Sequence, residues 1–313
     1  MASETKPWLM LLLFAATFLQ RCVHGWPQVP CLFIFGDSSS DPGNNNNLAV
    51  SSRVNYPPYG VDFPKGVTGR YNNGKTTIDQ IGELLGLTDF IPAYADYQTP
   101  FTNRQATDVY FGVNYASAGG GLDDFTSSSL GKIFSLTDQI NQHKSIYFQI
   151  AAALKSEEQA KEHLEKCLYY LDLGTNDYVI NYFVTDFYNT SQIYTPEEWA
   201  LHLIKRYYDH LTELHKFSAR KFALSGLGFL GCRPHQRNSK GECDKNINDA
   251  LTLFNNKLPG LVDKLNEDYP DSQFMYVNYP AIQTSVFDDF INDAGCCVAD
   301  AFFGLCVVDP IIA

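Results

Sequence analysis

Residues 30–47, PCLFIFGDSSSDPGNNNN, join a short apolar run to a polar turn. The apolar run at 31–35 predicts a buried β-strand. Gly36, Asp37 and Ser38 then end the strand and open a turn rich in Ser, Asp, Gly and Asn. Open α/β sheets bind their ligands at the carboxyl ends of strands, so Ser38 occupies a position where such a sheet places reactive groups. For the tripeptide alone, an ordinary surface loop is the simpler interpretation.

The composition is that of an acidic globular protein. The chain has 313 residues, of which 45% are hydrophobic and 19% charged, and this suffices for the core of one large domain or two small ones. Its formal net charge is -12. Since it has no run of Lys or Arg, we expect it to bind neither nucleic acids nor anionic lipid surfaces.

Residues 1–25 have the features of a secretory signal peptide. Lys6 precedes an apolar block at 8–19, and Val23 and Gly25 follow it, so we expect cleavage after Gly25. The block is too short for a comfortable membrane span, and no later stretch is long and apolar enough. We therefore expect a soluble protein of the secretory-pathway lumen or the extracellular space. An uncleaved anchor is the alternative.

Seven of the eight cysteines lie beyond the predicted signal peptide. An oxidising compartment favours disulfides, and an odd number leaves one cysteine unpaired or paired elsewhere. Cys232 and Cys243 flank a polar loop and predict a local disulfide. A second group looks like a disulfide-linked loop with one member missing, and it comprises Cys296, Cys297 and Cys306.

A single sequon, Asn189-Thr190-Ser191, lies in a polar segment. In a secreted protein such a sequon is an acceptor for N-glycosylation. We therefore predict a glycosylated surface loop at Asn189.

Beyond the signal peptide, apolar runs alternate with helical patterns. This alternation predicts one α/β domain over residues 26–313, with a parallel sheet covered on both faces. The predicted strands are 31–35, 109–116, 167–173, 221–225 and 274–278. The predicted helices are 77–85, 135–166 with a break near 155–156, 196–217, and 244–266 with a kink or break at Pro259.

Three polar turns follow three of these strands: GDS at 36–38, SAGGG at 117–121 and GTND at 174–177. In a parallel sheet they project from the same edge. Together they supply a hydroxyl nucleophile, a backbone amide free of side-chain cover and a carboxamide donor. Acyl transfer needs this combination, because an attacking oxygen must be paired with donors for the developing oxyanion.

Two other patterns give no support for a cofactor or a metal. Residues 226–231, GLGFLG, fit G-x-G-x-x-G after a strand, but Cys232, Arg233 and Pro234 follow where a dinucleotide site needs a helix. The histidines show no spacing typical of metal ligands. We therefore expect no cofactor and no metal site.

The motifs, taken in order, resemble those of the plant GDSL esterases/lipases, members of the SGNH hydrolase superfamily. The resemblance implies a flavodoxin-like three-layer α/β/α fold with a mostly parallel sheet, and hydrolysis of carboxylic esters, including lipids. It covers nearly the whole chain after the signal peptide. The motifs that carry it are FIFGDSSSDPGNNN at 33–46, the NYPPYG…GELLGL segment at 55–87, GVNYASAGGGL at 112–122, LDLGTNDY at 171–178, GCRP at 231–234 and AGCC at 294–297.

By this resemblance, Ser38 is the nucleophile, and its backbone N–H is one oxyanion donor. Gly119 matches the oxyanion glycine, with the register open by one residue across the glycine run, and Asn176 matches the oxyanion asparagine. The family's usual leucine after the nucleophile is Ser39 here. The family pattern, rather than chemistry alone, therefore selects Ser38 among three consecutive serines.

The family also carries an Asp-x-x-His element near its C-terminus, which supplies the base and its orienting carboxylate. This sequence has no such element, and its last histidine is His235. A serine without a base is a poor nucleophile, so we expect an inactive or strongly impaired esterase. The alternative is a catalytically dead relative that binds or scaffolds proteins in the secretory pathway. Among the histidines, His235 is the best substitute base, because its loop follows a predicted strand.

Overall fold

The computed structural model describes residues 27–50, 53–98, 108–290 and Cys306. The predicted signal peptide and the cysteines at 296 and 297 lie outside the described residues.

Four parallel strands form the sheet, and their order in space is their order in the sequence. Each strand begins or ends close to its predicted position. Gly36 and Asp172, the last residues of the first two strands, stand opposite each other in the ladder. The strands are β1 (Leu32–Gly36), β2 (Leu168–Asp172), β3 (Lys221–Ser225) and β4 (Gln273–Val277).

Helices connect and cover the strands where the 3.6-residue pattern predicts them. The predicted break falls at Lys155, whose left-handed backbone (φ 53°) separates two helices. The predicted break at Pro259 is wrong, because that helix runs through the proline, whereas a kink there stays a prediction. The helices are α1 (Thr77–Leu84), α2 (Leu136–Leu154), α3 (Glu157–Leu164), α4 (Thr190–Ile193), α5 (Pro196–Lys216), α6 (Lys245–Asp268) and α7 (Tyr279–Phe290).

Alternate side chains of the sheet enter two separate hydrophobic clusters. Leu32 and Ile34 of β1 pack with Ile78 of α1 on one face. Phe33 and Phe35 join the larger core on the other face, which buries the apolar sides of α2, α3, α5 and α6. The layers are therefore helix, sheet and helix, and the predicted three-layer α/β fold is confirmed.

The segment predicted as a strand at 109–116 is not a regular strand. Its first residues form a short 3-10 helix, Asp108–Phe111. The residues that follow run beside β1, where Ile34 N–H donates to Val113 O at 3.1 Å and Tyr115 N–H donates to Ile34 O at 2.8 Å. Gly112 sets this path: its φ is +121°, and a Cβ there would lie 1.9 Å from Leu32 O.

Two disulfides link described cysteines. Cys232 and Cys243 are bonded, with Cα atoms 4.3 Å apart, as their loop predicts. Cys31 and Cys167, which precede the neighbouring strands β1 and β2, are bonded as well, with Cα atoms 4.7 Å apart. Within the described ranges, no helix has the length and apolarity needed to cross a membrane.

The close approach of Gly112 to β1 makes a stability prediction. We expect Gly112→Ala to lower the free energy of unfolding by roughly 3 kcal/mol, because the new Cβ would collide with a strand carbonyl in addition to straining the backbone. Gly66→Ala is the matched control: its φ is also positive (+71°), but nothing lies within 4 Å of an added Cβ. Urea unfolding of both variants measures the difference. Equal losses would contradict the role assigned to Gly112.

Candidate active site

The side chains of Asp37 and Asn176 link the three predicted functional turns by hydrogen bonds. Asp37 Oδ1 accepts the N–H of Ser39 at 2.9 Å, within the turn after β1. Asp37 Oδ2 accepts Asn176 Nδ2 at 3.4 Å, from the turn after β2. The same Asn176 nitrogen donates to Gly120 O at 3.0 Å, in the glycine-rich turn. The three turns, which are far apart in sequence, therefore meet at one edge of the sheet.

Ser38 lies at the tip of the first turn and is half-buried. The turn is closed by the N–H of Ser40, which donates to Asp37 O at 3.2 Å. Within the described part of the chain, the Ser38 hydroxyl has no hydrogen-bond partner. The predicted nucleophile is thus held by its backbone and not by an acceptor for its proton.

The glycine-rich turn narrows the register of the predicted oxyanion donor. Gly120 N–H donates to Ser117 O at 2.8 Å and is therefore already engaged. The amides of Gly119 and Gly121 have no acceptor among the described residues. Gly119 has φ +87°, and a Cβ there would lie 2.4 Å from Ile133 Cδ1, so this position favours glycine. The role of Gly119 stays a prediction.

Buried polar side chains that the sequence analysis missed hold these turns. The Asp41 carboxylate accepts the N–H groups of Gly43 at 2.8 Å, Asn44 at 2.7 Å and Ala118 at 2.9 Å. Burial raises the pKa of Asp41 to about 7, and the three backbone amides limit the rise. Gln139 of α2 exchanges two hydrogen bonds with the backbone of Gly36. The Asn-rich run at 44–47 is the pattern in the sequence that could have indicated this network, because the side chains of Asn44 and Asn45 are buried and donate hydrogen bonds to backbone carbonyls.

Ser39, the departure from the family pattern, has a partner in β2. Its Oγ donates to Asp172 Oδ2 at 3.0 Å. Both side chains face a cavity of about 230 Å³ that lies beside the first turn. The other residues that line this cavity are Asp37, Thr77, Tyr170, Thr175, Gly228, Phe229, Leu230, Arg233, Tyr279 and Gln283.

The two carboxyl groups of this cavity resist ionisation together. Burial and the neighbouring charge of Asp37 raise the pKa of Asp172, the hydrogen bond from Ser39 and the charge of Arg233 lower it, and the net result is a pKa of about 7. Burial likewise raises the pKa of Asp37, against hydrogen bonds from Ser39 and the charge of Arg233. The cavity therefore holds a carboxyl group that changes charge near neutral pH.

The five histidines with described side chains are engaged away from this cavity, and none of them lines it. His143 is buried, with Nδ1 3.0 Å from the Tyr115 hydroxyl, and burial lowers its pKa to about 3. His202 Nε2 lies 2.8 Å from Asp123 Oδ2. The others contact the Tyr110 carbonyl, the Leu122 carbonyl and the Asp271 carboxylate, and they are His163, His210 and His215. The side chain of His235 lies outside the described residues.

Two clusters resemble ligand sites by residue type. The ligand atoms of Cys31, His163 and Cys167 lie within 4.8 Å of one another, but both sulfurs belong to a disulfide and are not thiolates. The glycines at 226–231 lead into a three-residue 3-10 helix, Leu230–Cys232. A dinucleotide site would need an α-helix at this point, so neither cluster supports a cofactor.

A family model described as GDSL-like Lipase/Acylhydrolase matches residues 32–302. One GDSL esterase/lipase of Arabidopsis thaliana is 42% identical over 302 residues, which is 94% of this chain and 81% of that protein. A second from the same plant is 41% identical over 299 residues, or 92% of this chain and 81% of that protein.

The raised pKa of Asp172 predicts a pH-dependent stability. Between its unfolded value near ~4 and its folded value of about 7, the folded chain keeps a proton that the unfolded chain has lost, so stability falls as pH rises through this window. We expect the melting temperature of Asp172→Asn, relative to wild type, to increase between about pH 5 and pH 8. Exposed Asp89→Asn is the control. A pH-independent difference would show that Asp172 is ionised throughout.

Proposed function

The chain belongs to the GDSL-like lipase/acylhydrolase family, and from this premise we propose that it acts on carboxylic esters with Ser38 as the nucleophile. The observation that carries the proposal is that Asn176 hydrogen bonds both to Asp37 in the serine turn and to Gly120 in the glycine-rich turn, which brings the three turns together. A hydroxyl beside amide and carboxamide donors is the arrangement that acyl transfer requires.

In the proposed reaction, Ser38 Oγ attacks the ester carbonyl carbon. The oxyanion accepts hydrogen bonds from the N–H groups of Ser38 and Gly119 and from Asn176 Nδ2. Of the two bonds that Asn176 Nδ2 makes, the one to Asp37 at 3.4 Å is the longer, so it is the one to yield to the substrate. Collapse of the tetrahedral intermediate releases the alcohol, and water then hydrolyses the acyl-serine.

The proton of Ser38 needs an acceptor, and the five described histidines are committed elsewhere. We propose that turnover by this chain is strongly impaired. Loss of the histidine from a serine protease costs on the order of 10⁶ in turnover, and a similar loss is expected here unless another group serves as base. His235 is the candidate in the sequence. The alternative function is a binding or scaffolding protein of the secretory pathway.

The proposed setting is the secretory pathway or the extracellular space, after cleavage near Gly25. The disulfides Cys31–Cys167 and Cys232–Cys243 fit an oxidising compartment. Asn189 is exposed at the start of α4, as a glycosylated sequon requires. The proposed ligand is a small ester or a lipid, with protein partners only under the alternative function.

Hydrolysis of p-nitrophenyl acetate tests the nucleophile. We expect slow turnover that falls at least about tenfold in Ser38→Ala, because the attacking oxygen is lost while the oxyanion donors stay. His235→Ala, compared with the control His215→Ala, whose half-buried ring contacts Asp271 away from the cavity, tests whether His235 takes the proton. Turnover equal in wild type and Ser38→Ala would reject Ser38 as the nucleophile, and absence of turnover in both would favour the binding function.

The oxyanion role of Asn176 makes a separate prediction. Asn176→Ala removes one donor to the transition state, so we expect kcat for the Ser38-dependent reaction to fall by about 10² with little change in KM. Exposed Asn256→Ala, on α6, is the control. A change confined to KM would place Asn176 in substrate binding rather than in stabilisation of the oxyanion.

A further inference from the structure

Ser39 has the contact that Ser38 lacks. Its hydroxyl donates to a carboxylate, Asp172 Oδ2, at 3.0 Å. Its backbone is fixed by the hydrogen bond from its N–H to Asp37 Oδ1 at 2.9 Å. Its side chain is exposed and lies on the wall of the cavity. A serine that is accessible, fixed and bonded to a proton acceptor has the geometry of an activated nucleophile.

We propose that Ser39 is a second nucleophile of this chain, with Asp172 as its general base, and that it acts on esters of small carboxylic acids. The inference rests on the proposed function for its reaction class, ester hydrolysis, and not for its nucleophile. It assigns a role to the serine that replaces the family's leucine and to an aspartate at the end of β2.

The cavity sets the class of substrate. Its volume of about 230 Å³ is enough for a short acyl group and too small to enclose a long lipid chain completely. Phe229 and Leu230 supply an apolar wall, and Arg233 supplies a positive charge in the same cavity. A cation close to the reacting carbonyl stabilises the negative charge that its oxygen acquires. Short-chain esters therefore fit this position better than long-chain ones.

The surroundings of Asp172 suit a base that works near neutral pH. Burial raises its pKa to about 7, and the best general base has a pKa close to the working pH. Above that pH the carboxylate is free to accept a proton, and below it the carboxyl group is already protonated. The titratable and charged groups that interact with it come from five parts of the fold, and they are Asp37, Tyr170, Tyr207, Arg233 and Tyr279.

The proposed reaction balances without a co-reactant other than water. Ser39 Oγ bonds to the carbonyl carbon while its proton passes to Asp172 Oδ2, and the π electron pair moves to the carbonyl oxygen. Collapse breaks the bond to the alkoxy group, which takes the proton from Asp172 and leaves as the alcohol. Water then attacks the acyl-Ser39 ester and gives its proton to Asp172. That proton returns to Ser39 Oγ as the carboxylic acid is released.

The test uses the full chain with p-nitrophenyl acetate and a fluorophosphonate probe, in a Ser38→Ala background. In that background we expect turnover to rise as pH increases through about 7 and the probe to modify residue 39, as mapped by peptide mass spectrometry. Adding Ser39→Ala lowers turnover at least about tenfold and removes the label. Adding Asp172→Asn keeps the serine but removes the rising limb of the pH profile. Ser39→Cys, which keeps a nucleophile beside Asp172, retains labelling by a thiol reagent.

The outcomes separate this inference from the proposed function. If Ser38→Ala and Ser38→Ala/Ser39→Ala turn over equally and residue 39 is not labelled, the inference is wrong, and labelling of Ser38 in wild type leaves the proposed function standing. If Ser38→Ala keeps the wild-type rate and Ser39→Ala abolishes it, the inference holds and Ser38 loses its role. If the probe labels neither serine, both the proposed role of Ser38 and the inference about Ser39 are wrong. Melting curves, with Asp89→Asn as the control, establish that each variant is folded.

Discussion

The buried carboxylate of Asp41 joins two turns that lie far apart in sequence. It accepts amides from its own turn and the N–H of Ala118, which is 77 residues away. Burying a carboxylate without hydrogen-bond donors destabilises a folded protein by several kcal/mol. Burial of the Asp41 carboxylate therefore requires that the two turns stay together. The glycine-rich turn is therefore held against the serine turn by a polar group and not by apolar packing alone. The position of the whole site at the sheet edge depends on this constraint.

Asp37, like Asp41, joins two turns through hydrogen bonds to its carboxyl group. Its two oxygens fix the backbone of Ser39 and the side chain of Asn176, which is 139 residues away from it. One side chain thus contacts both the backbone of the serine turn and the side chain of Asn176, which is proposed as an oxyanion donor. Its neighbour Asp172 adds a second carboxyl group to the same wall. Burial raises the pKa of both carboxyl groups, and the charge of Asp37 raises that of Asp172 as well, so proton uptake at this wall occurs at higher pH than for an isolated aspartate.

The sequence predicts what depends on local pattern. Apolar runs place β1 to β4, and the break at Lys155 follows from a polar interruption of the helical period. The segment at 109–116 fails as a strand because Gly112 approaches Leu32 O, a contact that no local pattern encodes. The pairs Cys31–Cys167 and Ser39–Asp172 escape prediction for the same reason, since their members are 136 and 133 residues apart. The position of polar turns after predicted strands was enough to single out the three turns, and the family resemblance assigned roles to Ser38, Gly119 and Asn176 but treated Ser39 only as a departure.

The two adjacent serines divide between them what a single catalytic serine normally combines. Ser38 sits among the turns that supply amide and carboxamide donors, but no described group accepts its proton. Ser39 has a proton acceptor in Asp172. Its own N–H already donates to Asp37 and is therefore not free to donate to an oxyanion. Activation of a hydroxyl requires an acceptor, and stabilisation of the oxyanion requires donors. Arg233 lines the same cavity as Ser39 and Asp172, and under the proposed mechanism its positive charge is the group that meets the second requirement at Ser39. The proposed chemistry of Ser39 therefore depends on that arginine as well as on Asp172.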